Sequence, residues 1–335
     1  MTTRVTYENP VHPSYFADPF VFRHEETYWA IGTGAPEAAG TVETATGPSI
    51  FPLLRSRDLT TWTEDAKALV RPDAALGDTF WAPEIAVHEG RFYLYYSVGF
   101  DDKLHHLRVA TSDAPEGPYV DAGVALTDVR NCAFAIDPHP FRDRDGRFYL
   151  FHARDFLDTD DPTSVRAGTA LVVCEMETMT RLSERVTTVL RARFDWQRFR
   201  ADREMYGRRF DWHTLEGPCV LERDGVYYCL YSGGAWHGAD YGVDFAVASA
   251  VLGPYSDAGG EHGPRVLRSA PGHLLGPGHN SLVPGLDGAT PVLAYHAWDP
   301  GYVARRLCVD PLVWTSDGPG FSGPSRGPRS FTKRA

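Results

Sequence analysis

The chain has 335 residues, of which 43% are hydrophobic and 13% aromatic, and it carries a formal net charge of −11. Its negative charge argues against a nucleic-acid partner, because phosphate binding needs clustered Lys and Arg, and no segment is long and apolar enough to suggest a membrane partner. The 32 glycines and 25 prolines fit many short strands joined by turns better than they fit a helical protein.

One short unit recurs along the chain: a strand that opens with an acidic residue or a proline, a turn, and a return strand rich in aromatic residues. Its copies run from 18–22 to 28–31, from 83–87 to 92–97, from 137–141 to 148–152, from 216–221 to 226–232 and, in degenerate form, from 279–283 to 291–296. Repetition of one small antiparallel sheet predicts an all-β fold, a five-bladed β-propeller. A single catalytic domain would span residues 1–335, with blades that start near residues 18, 81, 137, 216 and 279.

Two segments lie outside this repeat. Residues 191–209 are rich in Arg, Asp and Phe and predict either a short helix or a long loop. Because long loops tend to be functional, this segment is a candidate wall of the site. The tail after Asp317 consists mainly of Gly, Pro, Ser and basic residues and predicts a surface segment.

The N-terminus and the cysteines both bear on the compartment. The first ten residues contain no apolar stretch of the kind found in secretory signals, which predicts a cytoplasmic protein. The five cysteines are odd in number and lack metal-binding spacing, which predicts free thiols in a reducing compartment; they are Cys132, Cys174, Cys219, Cys229 and Cys308. A bridge between Cys219 and Cys229 across a hairpin is the alternative.

Three acidic residues stand at the start of repeated first strands: Asp18, Asp137 and Glu216. In a propeller the first strand of every blade begins near the central axis, so these side chains are expected to converge on one cavity. Carboxylates that share a cavity repel one another and are partly desolvated, which separates their pKa values and sets up acid and base roles. Cleavage of a glycosidic bond needs such a pair. An isolated Asp-Pro is an ordinary turn element, so it is the repetition that favours catalysis.

The motifs around these residues resemble those of glycoside hydrolase family 43. The resemblance rests on residues 15–19, 81–84, 135–138, 215–218, 276–280 and 295–298, in that order, and covers the chain from about Asn9 to about Trp314. It implies a five-bladed β-propeller that hydrolyses arabinose- or xylose-containing glycans with inversion of configuration.

The resemblance also implies residue roles. Asp18 matches the general base that activates water, Glu216 the general acid, and Asp137 the carboxylate that orients this acid and raises its pKa. An inverting enzyme must leave room for water, so carboxyl groups of Asp18 and Glu216 separated by roughly 6.5–9.5 Å are expected. Arg305 matches an arginine that reaches the site, although Ala304 stands where the family usually has glycine.

Further residues are candidates for substrate contact. Trp81, Phe80 and Trp298 could stack on a sugar ring or pack in the core. Glu84 could hydrogen-bond substrate hydroxyls or only close its blade.

His279 is the candidate metal ligand. The resemblance implies that it helps to hold one calcium or sodium ion on the propeller axis, and a hydrogen-bonded core histidine is the alternative. No organic cofactor is expected. Other histidines near the motifs lack zinc-binding spacing.

These observations favour an exo-acting hydrolase that removes terminal α-L-arabinofuranosyl units from small oligosaccharides, with β-xylosidase as a close alternative. A glycosyl-transferring or phosphorolytic propeller is a second alternative, and phosphorolysis would need a basic cluster beyond Arg305 and Arg306. A sugar-binding propeller without catalysis is the third, and the presence of all three carboxylates argues against it.

Overall fold

The protein is almost entirely β-structure in a computed structural model that describes residues 2–35, 47–159, 165–321 and 324–334. The strands are β1 (Thr2–Tyr7), β2 (Ala17–His24), β3 (Thr27–Thr33), β4 (Ser49–Ile50), β5 (Leu53–Ser56), β6 (Thr63–Glu64), β7 (Leu69–Val70), β8 (Thr79–His88), β9 (Arg91–Phe100), β10 (Lys103–Ser112), β11 (Val120–Ala125), β12 (Ala135–Arg142), β13 (Phe148–Phe156), β14 (Gly168–Thr178), β15 (Arg181–Leu190), β16 (Arg198–Met205), β17 (Arg208–Arg223), β18 (Val226–Gly233), β19 (Gly242–Ala248), β20 (Leu275–Pro284), β21 (Pro291–Trp298), β22 (Arg305–Thr315), β23 (Gly318–Phe321) and β24 (Arg329–Arg334). Two short 3-10 helices, Ala74–Leu76 and Asp195–Gln197, are the helical elements of the described residues. The expected all-β class is confirmed.

Most strands belong to sheets built from consecutive antiparallel hairpins. β2, β3, β5 and β6 form one four-stranded sheet, β8 to β11 form a second, and β20 to β23 form a third. β12 to β19 form an eight-stranded sheet in which two such groups are joined by a short parallel contact between β14 and β17. β4 pairs with β7, and β1 pairs with β24.

The first strands of these groups form a closed ring. β2 lies beside β8, β8 beside β12, β12 beside β17, β17 beside β20, and β20 again beside β2. The later strands of each group therefore lie progressively farther from the centre, as in a propeller.

The same irregularity interrupts each first strand. Pairing with the second strand shifts register at a bulge, and a residue with positive φ lies at each shift: Asp18 (48°), Ala82 (48°), Asp137 (59°), Gly217 (54°) and His279 (48°). Bulges bend a strand and redirect side chains, and they are common beside active sites. Positive φ is costly for residues other than glycine, so its recurrence in the ring points to a functional constraint.

The core lies between neighbouring sheets and consists largely of the return strands. Ile31 on β3 packs in one cluster with Leu94 and Tyr96 on β9, and all three are fully buried. Full burial of one such side chain contributes about 1.5–3 kcal/mol. The aromatic return strands that define the sequence repeat therefore hold adjacent sheets together.

The two ends of the chain meet in a feature that we call the terminal clasp, formed by Tyr7, Asn9, Tyr295, Asp310 and Ser325. The Asp310 carboxylate accepts hydrogen bonds from the Tyr7 hydroxyl (2.9 Å), the Asn9 amide (2.7 Å) and the Tyr295 hydroxyl (2.9 Å). Asn9 also donates to Ser325. The tail after Asp317 is therefore more than the expected surface segment, because it supplies β23, β24 and one member of this clasp.

Residues 191–209 form neither a helix of more than one turn nor an irregular loop. After the short Asp195–Gln197 helix, β16 pairs with an unusually long β17 as a hairpin. Tyr206 and Gly207 at its turn both have positive φ (52° and 70°), as a two-residue hairpin turn requires. Tyr-Gly is a weaker hairpin signal than Asn-Gly, which explains why the sequence did not predict this strand pair.

All five cysteines carry free thiols, as expected. The alternative bridge is absent because Cys219 lies opposite Leu230 in the hairpin, one position away from Cys229. Within the described residues, no helix has the length and apolar character needed to cross a membrane.

Candidate active site

A cavity of about 230 Å³ opens at the ring of first strands. Asp18, Asp137 and Glu216 line it together, although they are far apart in the sequence. The expectation that these carboxylates meet in one cavity is therefore met by the geometry.

Asp18 is held as a carboxylate. It is the second residue of β2, and its Oδ1 accepts a hydrogen bond from Nη1 of buried Arg305 at 3.2 Å. Nδ1 of His279 and Nδ1 of His296 lie 3.5 and 3.3 Å from the same oxygen. Burial raises the pKa of Asp18, but Arg305 and these two imidazoles outweigh it and hold the pKa far below its ordinary value.

Asp137 has the opposite environment. Burial first, and then the charges of Glu216 and Asp18, raise its pKa well above the ordinary value. Its Oδ2 accepts the Gly217 N–H at 2.8 Å, which ties Asp137 to the strand that carries Glu216. A Cβ at Gly217 would lie 3.2 Å from the His279 ring, and φ there is positive, so glycine suits this close approach.

Glu216 lies on β17 one residue before the bulge, whereas Asp18 and Asp137 are themselves the bulge residues. Its Oε1 accepts a 2.6 Å hydrogen bond from the Tyr241 hydroxyl. Burial raises the pKa of Glu216 to about 7, with Asp18 adding to the rise and the Tyr241 bond opposing it. Near neutral pH a large fraction of Glu216 is therefore protonated.

The site thus combines one carboxylate whose pKa lies far below its ordinary value, Asp18, with two whose pKa values are raised, Asp137 and Glu216. Such a separation of pKa values is what paired acid and base catalysis at a single bond requires.

His279 faces both aspartates. Its Nδ1 lies 3.5 Å from Asp18 and 3.8 Å from Asp137, and its backbone N–H donates to Ser232 Oγ at 2.8 Å. Burial lowers the pKa of His279. Across residues 2–35, 47–159, 165–321 and 324–334 no group of three or more His, Cys, Asp or Glu side chains is arranged to hold a metal ion. Calcium takes six to eight oxygen ligands, so the side chains around His279 do not fit a directly coordinated calcium ion.

Aromatic residues form part of the cavity wall. Trp81 lines the cavity and stacks on His105 with ring centroids 3.7 Å apart. On another side, Trp236 lines the cavity and stacks on Trp298 at 6.1 Å, while the Arg305 guanidinium lies 4.7 Å from the Trp236 ring centroid. Trp298 thus packs against Trp236 and is not itself among the residues that line the cavity.

Two other candidates are placed away from the cavity lining. Phe80 packs in the core against Phe51 and Tyr96. Glu84 accepts a 2.8 Å hydrogen bond from Nδ1 of His139, since the Nε2 of that ring accepts the Val220 N–H at 3.0 Å. This chain of contacts joins β8, β12 and β17 and suits the blade-closing interpretation of Glu84.

The charged segment does contribute to the cavity, as expected. Phe199, Arg203 and Met205 on β16 are among its lining residues. Sequence analysis did not find Tyr241, His296, Trp236 or Asp155. The Tyr-His pair at 295–296 ends a repeated return strand, which could have indicated His296, whereas Tyr241 and Trp236 lie in a connection without repeat signals.

Fold and site together define a class, the carboxylate-based glycoside hydrolases built on a propeller. Comparison with known proteins gives the family. The model of glycosyl hydrolases family 43 matches residues 7–319, and the chain belongs to this family.

Individual relatives are distant. A β-D-galactofuranosidase of Aspergillus niger is 26% identical over 95% of this chain and 85% of its own length. An extracellular exo-α-(1→5)-L-arabinofuranosidase of Streptomyces avermitilis is 25% identical over 96% of this chain, which covers 64% of that enzyme. The crystal structure of a thermostable family-43 glycoside hydrolase superposes with a TM-score of 0.79 and 27% identity, covering 96% of this chain and 98% of the other.

The prediction of a cytoplasmic protein is wrong by this comparison, because the Streptomyces relative is an extracellular enzyme. Neither the composition of the first ten residues nor the free cysteines report location directly.

Proposed function

We propose that this glycoside hydrolase is inverting and exo-acting and releases terminal α-L-arabinofuranosyl units from arabinose-containing oligosaccharides. The observation that carries the proposal is the separation of pKa values between Asp18 and Glu216 in a shared cavity.

Asp18 is assigned as the general base. Arg305 holds the pKa of Asp18 far below its ordinary value, so Asp18 is ionised at neutral pH. An ionised carboxylate can accept a proton from water as that water attacks the anomeric carbon.

Glu216 is assigned as the general acid and Asp137 as its positioning residue. With a pKa of about 7, Glu216 can donate a proton to the leaving oxygen near neutral pH. The Asp137 bond to the Gly217 N–H fixes the backbone next to the acid. Because ionised Glu216 would face the charge of Asp18, the proton is retained until the leaving group takes it.

Exo action is supported by the small size of the site. A cavity of about 230 Å³, with Trp81 and Trp236 among its lining residues, accommodates a chain end better than the middle of a polymer. The choice of arabinofuranose is supported by the Streptomyces relative, and the Aspergillus relative makes galactofuranose the second candidate. Both named sugars are furanoses.

Phosphorolysis has less support. Of the described residues that line the cavity, Arg203 and Arg305 are the arginines, and Arg305 is bonded to Asp18. Arg306 instead pairs with Asp299 at 3.0 Å. A phosphate co-substrate would need more positive charge near the base.

We also infer that the sheets amount to five blades. The support is the closed ring of five first strands and the repeated bulge. The eight-stranded sheet then counts as two blades joined through β14 and β17.

An ion beside His279 stays a prediction. Treatment with a strong chelator tests this prediction. If activity or thermal stability were lost, an ion would be present, and it would be held through water rather than directly by the side chains described above.

The substrate is tested with nitrophenyl α-L-arabinofuranoside, β-D-xyloside and β-D-galactofuranoside, together with linear arabinan. The proposal expects fastest hydrolysis of the arabinofuranoside and release of monosaccharide alone from arabinan. Early release of longer oligosaccharides would reject exo action, and a preference for another glycoside would reject arabinofuranose.

A further inference from the structure

We propose that Asp155 and Arg203 form a subsite for the hydroxyl groups of the sugar on the leaving-group side of the bond that is cleaved. This inference rests on the assignment of Glu216 as the acid, because the acid defines the leaving-group side.

Strand register gives the distance of Asp155 from the acid, and the ring of first strands gives its side. Asp155 on β13 lies opposite Thr169 on β14, and Thr169 lies opposite Thr214 on β17, two residues before Glu216. Two strand spacings and two residues of strand rise give a separation on the order of 12 Å between the Cα atoms of Asp155 and Glu216. All four residues line the cavity. The base Asp18 and the acid Glu216 both lie on strands of the central ring, whereas Asp155 lies on β13, the second strand of its group and farther from the centre. Asp155 would therefore meet a sugar that extends from the acid away from the base.

The carboxylate of Asp155 has capacity for further hydrogen bonds. Its Oδ1 accepts from the Thr169 hydroxyl at 2.9 Å and its Oδ2 from the Tyr206 hydroxyl at 2.7 Å. An ionised carboxylate has about four acceptor sites, so these two bonds leave room for sugar hydroxyls. Burial raises the pKa of Asp155 to about 6, which still leaves it mostly ionised at neutral pH.

Arg203 supplies the complementary donors. Its Nη2 donates to Asp102 at 2.9 Å, which fixes the guanidinium between β16 and the turn after β9. The same guanidinium lies 4.7 Å from the Phe199 ring and 5.7 Å from the Trp212 ring. A guanidinium has five N–H donors.

Together these groups match the chemistry of a sugar. A hydroxyl both donates and accepts, so it can bond to a carboxylate and a guanidinium at once, and the partly exposed side chains of Phe199 and Met205 offer apolar surface for C–H groups. The ligand class is therefore a neutral sugar residue, and Asp155 and Arg203 would bind it as the leaving group.

The test compares a sugar leaving group with an aryl one. With Asp155→Asn, the ratio of kcat/KM for arabinobiose to that for nitrophenyl α-L-arabinofuranoside should fall about 10- to 100-fold, the range for a lost hydrogen bond to a charged group. Arg203→Met should lower the same ratio. If the panel shows another glycoside to be preferred, its disaccharide and nitrophenyl forms replace these two.

Two further variants separate binding from structure. Tyr206→Phe removes the tether between Asp155 and the β16–β17 hairpin but keeps the carboxylate, so the ratio should stay near that of the native enzyme. Asp121→Asn is a matched control, because Asp121 likewise accepts a tyrosine hydroxyl, from Tyr96, and pairs with an arginine, Arg108, away from the cavity lining. It should change neither rate.

The proposal is overturned if Asp155→Asn and Arg203→Met lower both rates equally, if they leave the ratio unchanged, or if Tyr206→Phe reproduces their effect. Failure of the proposed function would be seen in different measurements. The native enzyme would then release a retained anomer, or its activity would not depend on Glu216.

Discussion

Two groups of buried carboxylates in this molecule differ in what surrounds them. In the terminal clasp, Asp310 is 1% exposed and accepts hydrogen bonds from Tyr7, Asn9 and Tyr295. In the active-site cavity, Glu216 accepts one protein hydrogen bond, from Tyr241, and faces open space. Burial raises the pKa of both carboxylates.

A pKa raised by burial therefore does not by itself identify an active site. The clasp carboxylate is satisfied by protein donors and holds strands together, which is a structural role. The cavity carboxylates face one another and keep acceptor capacity for a ligand. Substitutions in the two places should therefore change different properties, rate in one and stability in the other.

The largest effect is expected from Glu216→Gln. Without its proton donor the enzyme should lose about 10⁴-fold in kcat/KM on a natural disaccharide, but much less on an aryl glycoside whose leaving group needs no protonation. Steady-state rates on the two substrates check this. An equally severe loss on both would make the acid assignment wrong.

Asp18→Asn should cost about 10³-fold on both kinds of substrate, because activation of water is needed whatever the leaving group. The contrast with Glu216→Gln distinguishes base from acid. If Asp18→Asn lost activity on the disaccharide alone, Asp18 would be the acid and Glu216 the base.

The pH dependence gives a smaller, graded effect. Activity needs protonated Glu216 and ionised Asp18, so kcat/KM should fall about tenfold per pH unit above about pH 7. Because the pKa of Asp18 lies far below its ordinary value, no loss from that residue is expected in mildly acidic solution. A profile that falls on the acid side of pH 6 and stays flat above pH 8 would contradict both assignments.

Asp310→Ala should leave the rate per folded molecule nearly unchanged while lowering the free energy of unfolding by about 2–5 kcal/mol, because three buried donors lose their acceptor. Denaturant unfolding, with activity measured on the folded fraction, checks this. Asp65→Ala serves as a control, since Asp65 forms a partly exposed ion pair with Arg55 and an exposed hydrogen bond with the Ala66 N–H. If Asp310→Ala lowered the rate without lowering the free energy of unfolding, the clasp carboxylate would not have the purely structural role assigned to it.

The sequence predicted the repeated parts of the molecule well. Alternating aromatic strands and Asp-Gly turns recur with near-constant spacing, and they predicted the first strands and the convergence of Asp18, Asp137 and Glu216. The positions of the three carboxylates relative to the strand bulges are less regular than expected, because Asp18 and Asp137 are bulge residues whereas Glu216 precedes its bulge residue by one position.

Parts that do not repeat were harder to predict. The β16–β17 hairpin depends on two positive-φ residues, Tyr206 and Gly207, without the usual Asn-Gly signal. The pairing of β1 with β24 depends on contacts between residues more than 300 positions apart, which no local pattern indicates. Tyr241 reaches Glu216 from a connection whose path is set by tertiary packing.

The most direct test of the account is the configuration of the sugar when it is first released. Proton NMR during the first turnovers of the preferred glycoside should show the inverted anomer, which converts to the equilibrium mixture only later. Initial release of the retained anomer would mean a covalent intermediate, and it would contradict the assignment of Asp18 as a base acting through water.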